Sequence, residues 1–403
     1  MKYLIVLTDG ASDRPIKELN DKTPLQVSDM PCINELAKHS EVGLVKTIPE
    51  GIAPGSDAAN LSVMGYDPSI YHTGRSPLEA VSMGIQLAET DVAFRCNLVT
   101  LSKDEPYEEK MILDHSSGDI SSEEAAELIQ SINEAFSNDQ IQFYPGFSYR
   151  HAMIVHNGSI DFSLTPPHDI LTQKIKGYLP AKDETTGYIR NMMMKSYDIL
   201  KDHPVNKARR EKGLNTADSI WIWGQGRKPK LSSFTEKYHV SGAVISAVDL
   251  IKGIGLCAGL ESIDVEGVTG TVHTNYKGKA DAAIAAFERG LNFVYLHLEG
   301  PDECSHQGDM EGKIKCMELI DKNIVCPLKK YLDQKGEEYK LMILPDHPTP
   351  ISLRTHSSEP VPFVLYDSRK SIDKPNHSYS EDSGAQGSYF NNGYKLTDYF
   401  FQK

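Results

Sequence analysis

The first ten residues, Met1-Lys-Tyr-Leu-Ile-Val-Leu-Thr-Asp-Gly10, decide the fold class of this chain. The apolar run Tyr3–Leu7 stops abruptly at a polar Thr-Asp-Gly sequence, which is typical of a buried β-strand followed by a loop. Runs that are apolar on both faces favour a parallel sheet covered by helices. Four later runs have the same short, apolar form: Ser219–Trp223, Phe293–Leu298, Leu341–Leu344 and Val361–Leu365.

Helical patterns separate these predicted strands. Ala280–Arg289 precedes the Phe293 strand, and Gly312–Tyr331 follows it with apolar residues at helical spacing. Alternating strands and helices predict an α/β fold with right-handed crossovers and a mostly parallel sheet flanked by helices.

A different pattern occupies the middle of the chain. It contains an acidic helix, Ser121–Phe136, preceded by a capping sequence, and the strand-like pieces Gln140–Tyr144 and His151–His156. We therefore expect a core domain formed by residues 1–90 and 215–403. Residues 91–214 are expected to form a smaller, inserted α+β domain that binds substrate.

Composition limits the function classes. A net charge of −14 on 403 residues disfavours non-specific binding of nucleic acid. No segment approaches the roughly 18 apolar residues of a membrane span, and the first strand is shorter than the roughly 7–15 apolar residues of a secretory signal. None of the six cysteines forms a C-x-x-C pair, so we expect reduced thiols in a cytoplasmic protein. The oligomeric state is not indicated.

Carboxylate and imidazole side chains follow three predicted strands at the point where each strand ends. In open α/β sheets, ligands bind outside the carboxyl ends of the strands. Mixed Asp and His ligands suit divalent cations such as Mn²⁺ or Zn²⁺, with Mg²⁺ possible where carboxylates dominate. The sequence therefore predicts a site for two divalent cations. The candidate residues are Asp9, Asp302, His306, Asp346, His347 and His356.

The segment Ala53-Pro-Gly-Ser-Asp-Ala-Ala-Asn-Leu61 supplies a candidate nucleophile. It places Ser56 where a helix begins, and there backbone N–H groups and the helix dipole favour an oxyanion or phosphate. Ser56 could equally be a plain N-cap. The two roles are compatible, because a metal can activate a serine without a histidine base.

Together these motifs resemble the cofactor-independent (2,3-bisphosphoglycerate-independent) phosphoglycerate mutases, in the archaeal-type branch of that family within the alkaline phosphatase superfamily. The matching stretches run from end to end of the chain: Thr8–Gly10, Pro54–Pro68, Phe94–Asn97, Tyr149–His151, His203–Asn206, Pro301–His306, Pro345–His347 and Thr355–Ser357.

The resemblance implies an alkaline-phosphatase-like core with two divalent metal ions, most often Mn²⁺. It implies that Asp302, His306 and His356 hold one ion. The other would be held by Asp9, Ser56, Asp346 and His347. Ser56 would also carry the phosphoryl group as a phosphoserine intermediate. The substrate contacts implied by the resemblance are Arg95, Asn97, Asp114, Arg150, His151, His168, Arg209 and Lys279.

The expected reaction is the interconversion of 3-phosphoglycerate and 2-phosphoglycerate in glycolysis. One departure bears on the substrate: archaeal members carry Asp-Arg-x-Ala-Gly-Arg, whereas this chain reads Asp114-His-Ser-Ser-Gly-Asp119. Alternatives are a homoserine kinase-like phosphotransferase in threonine biosynthesis, a metal-dependent phosphatase, and a metal-binding scaffold without catalysis. The chain lacks the G-x-x-x-x-G-K-[ST] loop of many ATP-dependent kinases.

Overall fold

The computed structural model describes residues 1–161, 163–183 and 187–402. The chain divides into two compact units: Met1–His72 with Lys230–Lys403, called the core unit here, and Thr73–Pro229, called the insert unit. These boundaries lie outside the expected insert, 91–214. The reason is that the helix Ser76–Ser82 and the strand Ser219–Gly226 both pack with the strand Val92–Leu101.

Thirteen strands lie in the described residues: β1 (Lys2–Thr8), β2 (Glu41–Val45), β3 (Val92–Leu101), β4 (Ile112–Asp114), β5 (Ile141–Tyr144), β6 (Arg150–Val155), β7 (Ser219–Gly226), β8 (Gly242–Ile245), β9 (Glu261–Ser262), β10 (Phe293–Leu298), β11 (Tyr339–Leu344), β12 (Val361–Asp367) and β13 (Ser388–Phe390).

The α-helices of the same residues are α1 (Pro24–Val27), α2 (Pro31–Lys38), α3 (Ser56–Val63), α4 (Pro68–Tyr71), α5 (Ser76–Ser82), α6 (Ser122–Phe136), α7 (Gly187–Leu200), α8 (Pro204–Glu211), α9 (Phe234–Tyr238), α10 (Asp249–Cys257), α11 (Tyr276–Glu288), α12 (Gly300–Gln307), α13 (Met310–Ile320), α14 (Cys326–Lys335), α15 (Glu381–Ala385) and α16 (Gly393–Phe401). Short 3₁₀ turns span Lys17–Leu19, Tyr107–Glu109, Pro167–Ile170 and Ile175–Gly177, and a π-helical turn spans Asp321–Val325.

The core unit is built on an eight-stranded sheet with the order β13-β2-β12-β11-β1-β10-β8-β9. β1 lies at its centre and pairs in parallel with β10 and β11. All six residues of β10 and of β11 are buried. Helices cover both faces, which explains why these strands are apolar throughout. The predicted mostly parallel α/β fold is confirmed.

Two predicted strands differ from the expected parallel sheet, one in its direction and the other in the sheet to which it belongs. β12 runs antiparallel to both β11 and β2. An antiparallel strand buried on both faces has the same apolar pattern as a parallel one, so the sequence does not distinguish them. β7 belongs to the insert unit, where it pairs antiparallel with β3.

The insert unit has a five-stranded antiparallel sheet in which β3 contacts β4, β6 and β7, and β5 extends it beyond β6. One face packs on α6 and α7 through an apolar core. The predicted helix Ser121–Phe136 is found with Ser121 as its N-cap, whose hydroxyl accepts the Glu124 N–H at 3.2 Å. Capping and helical periodicity are local properties, which is why this helix was predictable.

The cysteines differ from the expectation of six free thiols. Cys32 and Cys326 form a disulfide with Cα atoms 5.6 Å apart, although 294 residues separate them in sequence. Such a separation leaves no spacing pattern, which is why the pair was missed. Cys96, Cys257, Cys304 and Cys316 do not form disulfides. In the described part of the chain, every helix is too short or too polar to cross a membrane.

Candidate active site

The carboxyl edge of the central strands gathers the predicted metal ligands. In register, Thr8 of β1 lies beside Leu298 of β10, and Leu7 lies beside Leu344 of β11. The next residues of these three segments therefore reach the same edge. They supply Asp9 directly, Asp346 and His347 after β11, and Asp302 and His306 from α12.

Ser56 is the first residue of α3, and Gly55 is the N-cap. The serine hydroxyl is therefore not used as a cap. Its Oγ lies 3.2 Å from Nε2 of His347, which is fully buried. A hydroxyl at the first residue of a helix lies where the helix dipole favours negative charge, as an alkoxide or phosphate would carry.

Asp302, His306 and His356 converge as one group. Asp302 Oδ2 lies 3.1 Å from His306 Nε2, and Asp302 Oδ1 lies 3.5 Å from His356 Nε2. The two imidazole Nε2 atoms are 3.1 Å apart. A neutral imidazole offers one N–H and one lone pair, so nitrogens at this distance can share a hydrogen bond, or both can present lone pairs to one cation.

Asp9, Asp346 and His347 converge as a second group. His347 Nε2 lies 3.7 Å from Asp9 Oδ1 and 3.4 Å from Asp346 Oδ2. Each of these three side chains is buried. Ser56 Oγ lies next to the same imidazole nitrogen, so the group offers carboxylate, imidazole and hydroxyl ligand atoms.

The donor set fits divalent cations. The donor atoms of Asp9, Asp346 and His347 all lie within 4.8 Å of one another, as do those of Asp302, His347 and His356. Among the described residues, Asp9 Oδ1 is buried and finds no hydrogen-bond partner. A buried carboxylate oxygen without a donor is costly, and a bound cation removes that cost.

Perturbed pKa values point in the same direction. Burial, followed by the nearby carboxylates of Asp346 and Asp302, raises the pKa of Asp9 well above its usual range. The hydrogen bond to Asp302 raises the pKa of His306 to about 9. Burial opposes ionisation of Asp302, but hydrogen bonds from His306 and His356 lower its pKa overall. The proton on His306 therefore balances the negative charge of Asp302, and a bound cation would do the same in its place.

Several supporting residues were not found from the sequence. Asn60 Nδ2 donates to Asp346 Oδ2 and to the Ser56 carbonyl, both at 2.8 Å. Tyr295 Oη donates to Asn60 Oδ1 at 2.6 Å, and Thr349 Oγ1 donates to Asp302 Oδ1 at 2.6 Å. Asn60 lies in α3, Tyr295 in β10 and Thr349 in the loop after β11, so no local spacing could have revealed their roles.

His297 supports Asp9 from behind. Its Nε2 lies 2.8 Å from Asp9 Oδ2 and its Nδ1 lies 3.1 Å from Ser246 Oγ. Lys279 is buried beside it and donates to the His297 carbonyl at 2.8 Å. Burial lowers the pKa of Lys279 to about 8, and burial together with Glu303 and Asp302 raises the pKa of Glu299 to about 8.

Four predicted substrate contacts lie in one aromatic-rich cluster of the insert unit. Arg95 and Asn97 alternate along β3, so their side chains share one face of the sheet. The Arg95 guanidinium lies 4.8 Å from the Trp223 ring, and Trp223 Nε1 donates to Asn97 Oδ1 at 3.1 Å.

The cluster continues through ring contacts on that face. His168 lies 5.4 Å from Trp223 and 6.0 Å from His115 between ring centroids. The exposed Arg150 lies over Tyr149, which in turn contacts His115. We call this set the Arg95 cluster: Arg95, Asn97, His115, Tyr149, Arg150, His168 and Trp223.

Three other predicted contacts are engaged within the insert unit. His151 pairs with Cys96 in the sheet and lies on the opposite, buried face, where its Nδ1 accepts the Gly146 N–H at 3.0 Å. Arg209 is buried and donates to Glu124 and to the carbonyls of Asn215 and Ser117. Asp114 accepts N–H bonds from Ser116 and Gly118 and organises its own loop.

Fold and site define an α/β protein that presents a helix-terminal serine and a carboxylate–imidazole donor set at the carboxyl edge of a parallel sheet. A family model described as 2,3-bisphosphoglycerate-independent phosphoglycerate mutase matches residues 37–206. A protein of that name from Methanosarcina barkeri is 47% identical over 389 residues, covering 96% of each chain. A probable 2,3-bisphosphoglycerate-independent phosphoglycerate mutase from Geobacter sulfurreducens is 46% identical over 400 residues, covering 99% of each.

Solved structures agree. A cofactor-independent phosphoglycerate mutase from Thermoplasma acidophilum has a TM-score of 0.69 at 26% identity, covering 100% of this chain and 99% of that one. A protein from Pyrococcus horikoshii has a TM-score of 0.83 at 27% identity, covering 99% and 96%. The chain belongs to the 2,3-bisphosphoglycerate-independent phosphoglycerate mutase family. These relatives support the expected mutase and not the homoserine-directed alternative.

Proposed function

We propose that this protein is a phosphoglycerate mutase that interconverts 3-phosphoglycerate and 2-phosphoglycerate through phosphorylation of Ser56. The observation that carries the proposal is the position of Ser56 Oγ, at the start of α3 and 3.2 Å from His347 Nε2. The names of relatives that match this chain from end to end support the same reaction.

Two divalent cations, with Mn²⁺ as the proposed metal, would supply charge that favours the Ser56 alkoxide and offsets the charge of the phosphate. We assign Asp302, His306 and His356 to one cation. Asp9, Asp346 and His347, with Ser56, are assigned to the other. Asn60, Thr349 and His297 orient these ligands through hydrogen bonds, as partners of ligating groups commonly do.

Within the insert unit, the Arg95 cluster is the proposed contact for the glycerate. Arg150 is exposed and carries the positive charge that a carboxylate requires. The Arg95 guanidinium donates to Glu79 through Nε and Nη2, so contact with a substrate carboxylate would require Arg95 to share or exchange that partner. His115 occupies one of the two positions at which the Asp-Arg-x-Ala-Gly-Arg motif of archaeal family members carries arginine. The His115 ring lies within this cluster. Arg209 and Asp114 are proposed to shape the unit rather than to contact substrate, because their polar atoms are engaged inside it. His151 is proposed to do the same, because it is buried on the face of the sheet opposite the Arg95 cluster.

Incubation with 3-phosphoglycerate and Mn²⁺, without nucleotide, tests the proposal. The expected product is 2-phosphoglycerate with little free phosphate, because the phosphoryl group stays on Ser56 until the glycerate is rephosphorylated. Ser56→Ala should abolish conversion. Ser62→Ala is the matched control, since Ser62 lies on the same helix and its Oγ lacks a hydrogen-bond partner among the described residues.

Each alternative has its own outcome in this assay. Stoichiometric release of free phosphate would refute the mutase assignment and indicate a phosphatase. Inertness toward phosphoglycerate, combined with phosphorylation of homoserine by ATP, would refute the proposed substrate. Conversion that survives in Ser56→Ala would refute the phosphoserine route.

A further inference from the structure

A third group of potential metal-ligating side chains lies away from the strand ends that carry the candidate active site. Cys32 is in the first turn of α2, and Asp321 and Cys326 bound the π-helical turn between α13 and α14. Donor atoms of these three residues all lie within 4.8 Å of one another. None of the three is used by the proposed reaction.

The π-helical turn accounts for the pairing of Asp321 with Cys326. The Cys326 N–H donates to the Asp321 carbonyl across five residues, as the π-helical pattern requires. In a regular α-helix, neighbours on one face are three or four residues apart, so residues five apart diverge. Here Cys326 Sγ lies 3.9 Å from Asp321 Oδ2.

The Asp321 carboxylate is held in place by α2. Its Oδ1 accepts the Ile33 N–H at 2.7 Å, and its Oδ2 accepts the Cys32 N–H at 3.3 Å. These N–H groups belong to the first turn of a helix and have no partner within it. Hydrogen bonds of this kind orient a ligating carboxylate, as they do around known metal sites. Burial raises the pKa of Asp321, a cost of ionisation that a nearby cation would reduce.

Solvent reaches the group from two sides. Cys32 and Cys326 line a groove of about 630 Å³, which Glu35 and His39 also line. Asp321 and Cys326 line a second groove of about 270 Å³. Both sulfur-bearing residues are only partly buried. A small dithiol can therefore approach the disulfide, and a hydrated cation can approach the donors.

We propose that Cys32, Asp321 and Cys326 form a thiol-gated cation site that binds one thiophilic divalent ion of the zinc class when the disulfide is reduced. In the opening step, a dithiol thiolate attacks one sulfur, the S–S bond breaks, and the second thiol of the reagent displaces the protein sulfur. The protein gains two electrons and two protons, and the dithiol becomes its cyclic disulfide. Cation binding then releases the two thiol protons, since thiolates are the ligands.

The donor set decides the class of ion. Two thiolates select zinc-class ions over Mg²⁺ or Mn²⁺, which prefer oxygen ligands. Three protein ligands leave one position of a tetrahedral zinc open to water. The site therefore differs in metal preference from the oxygen- and nitrogen-rich candidate active site.

The test uses the full-length protein, before and after dithiothreitol treatment and anaerobic removal of the reagent. Denatured, air-oxidised protein should contain four free thiols, and the reduced protein should contain all six. Cd²⁺ is then added as the probe, and the ultraviolet absorption of thiolate-to-cadmium charge transfer is recorded. Reduced protein should show the band saturating at one equivalent, and oxidised protein should show none.

Variants assign the band. Cys32→Ser and Cys326→Ser should each remove it, and Asp321→Asn should weaken Cd²⁺ binding at least about tenfold. Cys316→Ser is the matched control and should keep the band, because it disrupts the other close sulfur pair, Cys304 and Cys316, whose Sγ atoms are 4.0 Å apart. Six free thiols after air oxidation, a reduced protein without the band, or a band lost in Cys316→Ser but kept in Cys32→Ser would each overturn the proposal.

Discussion

Asn60→Ala tests how the serine helix is held against the cation ligands. Asn60 is fully buried one helical turn after Ser56. Its amide bonds the Ser56 carbonyl and Asp346 Oδ2, and its carbonyl accepts the Tyr295 hydroxyl. The substitution removes three hydrogen bonds and leaves buried polar groups without partners.

The expected cost follows from those three bonds. At about 1 kcal/mol each, with a further penalty for the unpaired Tyr295 hydroxyl, the free energy of unfolding should fall by about 3–4 kcal/mol. Turnover should fall about 10–100-fold, the range seen when partners of metal ligands are removed. The loss in turnover should be accompanied by weaker Mn²⁺ binding, because Asp346 loses the group that orients it.

Urea unfolding, Mn²⁺ titration and steady-state kinetics measure these effects. Tyr295→Phe removes one of the three bonds and should cost about 1 kcal/mol. Because this bond ends on Asn60, the double variant should lose less than the sum of the two single variants. Ser62→Ala, on the same helix, controls for helix perturbation. Strict additivity, or an Asn60→Ala enzyme with unchanged Mn²⁺ affinity and turnover, would refute the orienting role.

Three further outcomes are expected. Burial lowers the pKa of His151 from 6.5 to about 3, so the unfolded chain binds this proton first as pH falls. The contribution of neutral His151 to the free energy of unfolding should be full above pH 6.5 and should decline by about 1.4 kcal/mol per pH unit between pH 6.5 and about 3. The difference in urea midpoint between wild type and His151→Gln should therefore change with pH. Midpoints that run parallel across this range would exclude the effect. Chelation should abolish activity and Mn²⁺ should restore it, whereas full activity with metal-free protein by elemental analysis would contradict the ligand assignment. Arg209→Ala should lower stability by about 2–3 kcal/mol, because Glu124 and two carbonyls lose their donor; an unchanged midpoint with a raised KM would indicate a substrate contact instead.

Local patterns predicted much of the core unit. The predicted strand Phe293–Leu298 has the same bounds as β10, because an apolar run ended by Glu and Gly is a local signal. Most of the Asp and His residues predicted as metal ligands closely follow such strands, where parallel sheets gather side chains, and the structure brings these candidates close together. The alternation of Ile and Trp in β7 did not show which sheet it joins, since strand pairing depends on partners distant in sequence.

The rest of the site depends on tertiary contacts. Asn60 reads as an ordinary helical residue, and its role is visible only when Tyr295 and Asp346 lie beside it. The disulfide between Cys32 and Cys326 likewise depends on packing of α2 against the π-helical turn. His151 and Arg209 carry chemistry-bearing side chains, but sheet register and burial, rather than residue type, direct them into the interior of the insert unit.

The most direct test of the central claim is detection of phosphate on Ser56. Enzyme loaded with Mn²⁺ is mixed with 3-phosphoglycerate, quenched in acid during turnover, digested and examined by mass spectrometry, with Ser62→Ala as a positive control. We expect phosphoserine at Ser56 at a level that rises to steady state within one turnover. Rapid formation of 2-phosphoglycerate with Ser56 unmodified throughout would contradict the account.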